Sequence, residues 1–100
     1  MKWSTSSKEF ENFLKFERNL SKNTISGYLS DLKKLKDYLV KAKLNIKPSE
    51  ITTEIIRVFI YSESKKIKSS TQGRLISSLN LFFDYLILEK IINENPVEKI

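Results

Sequence analysis

Neither cysteine nor histidine occurs anywhere in the 100 residues. Without cysteine there is no disulfide framework and no thiolate zinc site. That composition suits a reducing compartment, and the chain is expected in the cytoplasm. Without histidine the usual general base, the usual proton shuttle and the commonest metal ligand are missing together. Hydrolase and metalloenzyme readings start from that handicap. The acidic residues are scattered singly and no glycine-rich phosphate loop is present, so no metal, cofactor or small-molecule substrate is expected. Apolar runs are short, far below the ~18 residues a bilayer span requires. The opening Met1-Lys2-Trp3-Ser4-Thr5-Ser6-Ser7-Lys8 carries no apolar stretch behind its charge, so it does not read as a secretory signal. Backbone breakers are also scarce: two glycines, Gly27 and Gly73, and two prolines, Pro48 and Pro96.

What is present points to helices and to an anionic partner. Lys, Glu, Leu and Ile dominate, and no strand-like alternation persists. Eighteen basic side chains against twelve acidic ones give a net charge of +6 and a pI near 9.6, which favours nucleic acid or an acidic surface. With 40% hydrophobic residues one core is feasible, so residues 1–100 are expected to form a single domain, folded over about 6–95.

Four helices can be placed. The first is expected to start near Ser6 or Ser7, with Ser7 in the cap region, to bury Phe10, Phe13 and Leu14, and to end near Asn19-Leu20. Ser21 is a good N-cap for the second, which runs to about Lys43 with Ile25, Tyr28, Leu29, Leu32, Leu35 and Leu39 on one face. Thr52 or Thr53 caps the third, Glu54 to about Lys65, whose density of Ile55, Ile56, Val58, Phe59, Ile60 and Tyr61 suits a helix wedged between others. After a basic turn of Lys65, Lys66 and Lys68, Ser69 or Ser70 caps the fourth, to about Lys90. Ile91 to Asn95 reads as an exit loop. Val97 to Ile100 form an apolar-charged tail with nothing to pack on, from which the natural chain is expected to continue; residues 96–100 would begin a linker.

Two of these helices carry candidate binding faces. Opposite the apolar stripe of the second lie Asn23, Gly27, Ser30, Lys34 and Lys41, flanked by Ser26 and Lys33. Lys22 and Thr24 stand at its start. Over Ser21–Lys43 six lysines face two aspartates. Small polar residues at a helix start let backbone N–H groups approach a phosphate, and lysines beyond neutralise its neighbours. The fourth helix opens with Ser70-Thr71-Gln72-Gly73-Arg74 and continues through Ser77-Ser78 into an apolar tail. Arg74, Ser77 and Ser78 are expected on one face, and arginine suits bidentate contact with guanine or phosphate. The plainer reading of both faces is a solvated surface, with Arg74 paired to a local carboxylate. Tyr28, Tyr38, Tyr61 and Tyr85 have no histidine partner, and Tyr28 reads as a core residue with its hydroxyl at the edge.

The order of these elements resembles the N-terminal core-binding, SAM-like domain of tyrosine recombinases, the Xer and phage-integrase family. Phe13-Leu14-Lys15-Phe16-Glu17-Arg18-Asn19-Leu20-Ser21-Lys22-Asn23-Thr24 resembles the family's approach to its second helix, followed by Tyr28 and Asp31-Leu32. Ser70 to Leu86 is similar to the family's Thr, two residues, Arg, then Ser-x-Leu-x-x-Phe-Phe-x-Tyr-Leu. Asn95-Pro96 resembles the exit toward an interdomain linker. The resemblance implies an all-α, SAM-like orthogonal bundle of four or five helices, whose second and fourth helices enter the major groove of double-stranded DNA. It also implies a clamp on one half-site, closed by a C-terminal catalytic domain of the same parent chain, with other recombinase protomers in the DNA-bound assembly. The catalytic arginines, lysine, histidines and nucleophilic tyrosine of such enzymes belong to that other domain, so no catalytic residue is carried over and the fragment is not expected to cleave DNA. Two positions depart from the family: Leu75 and Asn80 stand where basic residues are frequent. The competing expectation is a helical protein–protein adaptor, with Leu81 and Leu88 as its surface.

Overall fold

The structure, a computed structural model, describes residues 2–100. All regular structure among them is helical: α1 (Trp3–Asn12) running into a π-helical turn (Phe13–Glu17), α2 (Lys22–Lys41), a 3-10 turn (Pro48–Glu50), α3 (Thr53–Ser64) and α4 (Ser69–Leu88). The chain divides into two compact units, one up to Pro48 and one from Ser49 to Ile100, and each is taken by itself.

In the first unit α1 begins earlier than a serine cap would place it. Lys2 is the N-cap and contributes no side-chain hydrogen bond. The first turn is instead pinned by Trp3, whose indole Nε1–H donates to the Ile46 carbonyl at 2.9 Å and ties α1 to the connector after α2. Ser6 therefore lies inside the helix, fully buried, and its hydroxyl has no hydrogen-bond partner. Ser7 is not a cap either. The expected run to Asn19-Leu20 is also broken. Past Asn12 the backbone widens: the Arg18 N–H donates to the Phe13 carbonyl at 3.1 Å, five residues back, and the Leu20 N–H to the Leu14 carbonyl at 3.1 Å. Asn19 closes this end at φ 51°, a conformation asparagine tolerates. Phe10 and Leu14 are fully buried, and the Phe13 ring stacks on Phe10 with centroids 6.4 Å apart. Phe16 is turned outward and is 73% exposed.

Helix α2 starts where its cap residue requires. The Ser21 hydroxyl accepts the Thr24 N–H at 3.3 Å and donates to Thr24 Oγ1 at 2.9 Å. Ile25, Leu32, Leu35 and Leu39 form its buried stripe, with Tyr28 and Leu29 half-buried beside them. The helix stops at Lys41, two residues short of the sequence expectation, because Lys43 adopts φ 58°. The Leu44 N–H then donates to the Leu39 carbonyl at 2.9 Å and the Lys43 N–H to Val40 at 3.0 Å, a Schellman closure.

In the second unit Thr52 caps α3 by accepting the Ile55 N–H at 3.2 Å. Only one face of α3 is inward, with Ile56, Phe59 and Ile60 buried. Val58 and Tyr61 are exposed, so the helix is not wedged on all sides. Lys65 Nζ sits 4.7 Å from the Tyr61 ring centroid, giving that outer ring a cationic cover. Helix α4, which packs on α3, has Lys68 as its N-cap with no side-chain hydrogen bond. Ser69 and Ser70 lie within its first turn and do not cap it. Leu75, Leu79, Phe82, Phe83 and Leu86 are fully buried, and the Phe82 and Phe83 rings meet edge to face at 5.2 Å. A second Schellman closure follows, with Lys90 at φ 60° and the Ile91 N–H donating to the Leu86 carbonyl at 2.9 Å.

The tail after α4 does pack, contrary to the sequence expectation. Asn95 is 6% exposed and Val97 4%. The Asn95 side-chain amide donates to Asn80 Oδ1 at 2.8 Å, to Asp84 Oδ1 at 2.9 Å and to the Asn80 carbonyl at 3.2 Å. Its own Oδ1 accepts the Val97 N–H at 2.8 Å. One side chain thus folds the exit segment onto α4.

Candidate nucleic-acid interface

At about 100° per residue, Lys22, Ser26, Ser30, Lys33, Asn23, Lys41 and Lys34 fall within roughly 120° of arc on α2. The structure turns that arc outward: all are exposed except Lys34, which is half-buried. Lys34 Nζ lies 3.7 Å from Oδ1 of the fully buried Asp31, so part of its charge is directed into the helix's own flank. Lys33 lies 2.9 Å from Asp37, both well exposed, a pairing worth well under ~1 kcal/mol and readily exchanged. Thr24 lies outside the arc; it is exposed, but its N–H and hydroxyl serve the Ser21 cap. No side chain protrudes at Gly27, and a Cβ there would meet nothing within 4 Å.

On α4, Ser70, Arg74 and Ser77 share about 60° of arc, and all three are exposed. Gly73 adjoins them, again with nothing within 4 Å of an added Cβ. Ser78 does not belong to this face. It is 2% exposed and its hydroxyl donates back to the Arg74 carbonyl at 3.0 Å, so its expected place beside Arg74 and Ser77 is corrected. The physical reason is packing: Ser78 lies about 40° round the helix from Arg74, on the side away from Ser77, at the edge of the flank that buries Leu75 and Phe82. Thr71 and Gln72 are half-buried. Among the described residues no group of three or more acidic, His or Cys side chains is placed to hold a metal ion, and no helix is long and apolar enough to cross a membrane.

A helical chain with basic, small-residue faces on its second and fourth helices is the class this architecture defines. Residues 8–90 match the family described as "Phage integrase, N-terminal SAM-like domain", and the chain belongs to that family. It is an N-terminal domain of the tyrosine recombinase type. It is 36% identical over 94 residues to the tyrosine recombinase XerC of Leptospira interrogans, covering 93% of this chain and 30% of that protein. It is 35% identical over 89 residues to the tyrosine recombinase XerD of Proteus mirabilis, covering 88% and 28%. A tyrosine recombinase of Pseudothermotoga lettingae is 36% identical over 94 residues, 91% of this chain and 32% of that protein. The chain therefore spans about a third of the length of these curated relatives. No solved structure matches.

Proposed function

We propose that this chain is the DNA-holding module of a site-specific tyrosine recombinase, gripping double-stranded DNA at one half-site for strand exchange carried out by a catalytic domain elsewhere in the parent chain. On this reading the 100 residues act as one DNA-binding domain in the cytoplasm, bind no cofactor and cut no DNA themselves. They work among other recombinase protomers on the DNA. Lys22, Lys33, Lys34 and Lys41 of α2 supply phosphate neutralisation and counterion release. Asn23, Ser26 and Ser30 supply short hydrogen-bonding side chains. Arg74 supplies a planar fork for guanine or phosphate.

The observation that carries the reading is the pair of glycines. Glycine in a helix interior costs about 1 kcal/mol relative to alanine, yet at Gly27 and Gly73 no atom of this chain outside the helix backbone occupies the space a methyl group would fill. Packing within the protein does not require glycine at either position, and both stand beside the exposed cationic faces. Space held open there fits the close approach of a duplex. The uncapped start of α4 adds to this, because its first N–H groups are not taken by a side-chain cap and can face an anion.

Anisotropy titration of a labelled duplex over a range of salt concentrations tests the proposal. Binding is expected to weaken steeply with salt, and Arg74→Ala is expected to reduce affinity about 10-fold or more. Gly73→Ala is expected to raise thermal stability while lowering DNA affinity. Absence of salt-dependent binding at low ionic strength refutes the proposal. The outward-facing Phe16, Val40 and Leu88 favour a second reading, a protein–protein adaptor; it gains if Gly73→Ala stabilises the fold and leaves DNA binding unchanged.

A further inference from the structure

We infer that the furrow between α1 and α2 is a track for one phosphodiester backbone of the bound duplex, which adds Lys8, Lys15 and Lys36 to the DNA-contacting set. The inference rests on the proposed function. Two adjoining concavities, of about 370 and 290 Å³, share Glu11 and Leu29 and so form one furrow along the first unit. Its α2 bank carries Lys22, Lys33 and Lys36, and the opposite bank carries Lys8 on α1 and Lys15 on the π-helical turn that continues it. Against these five lysines stand two carboxylates, Glu11 and Asp37, and Asp37 is already held by Lys33 at 2.9 Å. The surplus of positive charge selects a polyanion as the occupant.

Geometry places a backbone there. An α-helix with its side chains is about 10–12 Å across, and the major groove is about 12 Å wide. A helix seated in that groove therefore has a phosphate wall against each flank. The outward arc of α2 is centred near Ser30. Lys22 and Lys33 lie on one edge of it, and beyond that edge the surface descends past Leu29 and Ile25 into the furrow. Helix α1 with the π-helical turn after it is the opposite bank, and its furrow-facing residues Ser4, Lys8, Glu11 and Lys15 recur at spacings of 4, 3 and 4. When α2 reads the groove, the strand wall on that side meets Lys8, Lys15 and Lys36 next. Lys15 Nζ now rests 5.5 Å from the Phe16 ring centroid, an exposed contact that a phosphate displaces at little cost.

The test compares two triple variants of equal charge. Lys8→Gln, Lys15→Gln, Lys36→Gln removes the furrow lysines; Lys43→Gln, Lys90→Gln, Lys99→Gln removes three exposed lysines elsewhere. For each, duplex affinity is measured against salt. The furrow variant is expected to lower the slope of log K against log salt by about 2–3, at roughly 0.9 per lost phosphate contact. Its affinity should fall by at least about 10-fold at ~0.1 M salt, equally for unrelated sequences. The control variant should change the slope by less than about 1. If wild type and furrow variant share one slope, or if the two variants fall alike, the furrow is not a phosphate track while the DNA-binding proposal stands. If the wild-type chain binds no duplex, both fail together.

Discussion

Asn95→Ala removes four hydrogen bonds with one substitution, and its cost can be worked from their surroundings. The amide's two hydrogens serve Asn80 Oδ1 at 2.8 Å and Asp84 Oδ1 at 2.9 Å, with a longer share to the Asn80 carbonyl at 3.2 Å. Asn80 and Asp84 are exposed and recover hydration when the amide is gone, so these bonds account for about 1 kcal/mol each. The Val97 N–H is different. It loses its 2.8 Å acceptor in a residue that is 4% exposed, and an unpaired buried donor costs about 1–3 kcal/mol. The sum exceeds what the docked segment can hold against, because undocking forfeits mainly the burial of Val97, worth about 1.5–3 kcal/mol. Release of the segment therefore caps the loss at about 2–3 kcal/mol, a Tm drop of roughly 10–20 °C for a domain of this size. Hydrogen exchange locates the effect: Val97 and Ile100 amides should lose protection while those of Leu79, Phe82 and Phe83 in α4 keep theirs. A Tm within about 3 °C of wild type, with Val97 still protected, refutes the reasoning.

Other predictions concern positions where the fold carries local strain or an unpaired group. Ser6→Ala deletes a buried hydroxyl that has no partner and substitutes a better helix former, so it should raise stability by about 1 kcal/mol, read from denaturant midpoints at unchanged m. Lys90→Gly relieves a lysine held at φ 60° in the closure of α4 and should stabilise by about 1 kcal/mol in the same assay. A destabilised Lys90→Gly variant would show that the side chain contributes more than its backbone conformation costs.

Much of the fold was legible because it depends on short-range chemistry. Ser21 and Thr52 cap the helices that their hydroxyls can reach, and the Ile25, Leu32, Leu35, Leu39 stripe is buried as its period requires. Two of the departures share one cause, a long-range partner that outbids a local rule. Trp3 joins α1 because a carbonyl 43 residues away accepts its indole N–H, and Ser6 and Ser7 then fall inside the helix. Val97 finds packing because Asn95 reaches back to Asn80 and Asp84. Of the candidate site, the α2 arc could be read from periodicity. Periodicity alone leaves Ser78 about 40° from Arg74; it drops out of the site because it stands at the edge of the packed flank and is buried. Lys8, Lys15 and Lys36 carried no signal of their own, since which lysines line a furrow depends on how α1 packs against α2.

Asn80 shows why the family pattern cannot simply be restored. The resemblance would place a basic residue there, on the exposed side of α4 that carries Ser70, Arg74 and Ser77. In this chain that side is divided. Ser70, Arg74 and Ser77 in its first half are exposed, and farther along Asn80 and Asp84 are both engaged by Asn95. Arginine has donors and no acceptor, so Asn80→Arg sets a donor against the Asn95 amide and forfeits the 2.8 Å bond, about 1 kcal/mol. An ion pair with Asp84, four residues on, returns only about 0.3–0.5 kcal/mol. If the DNA reading holds, the variant should gain duplex affinity through the added cation while the Val97 amide exchanges about 2–5 times faster, as a net loss of about 0.5–1 kcal/mol in segment docking requires. Unchanged protection at Val97 would show that the exit segment is held by Asp84 alone, and that a basic residue at position 80 conflicts with nothing in this fold.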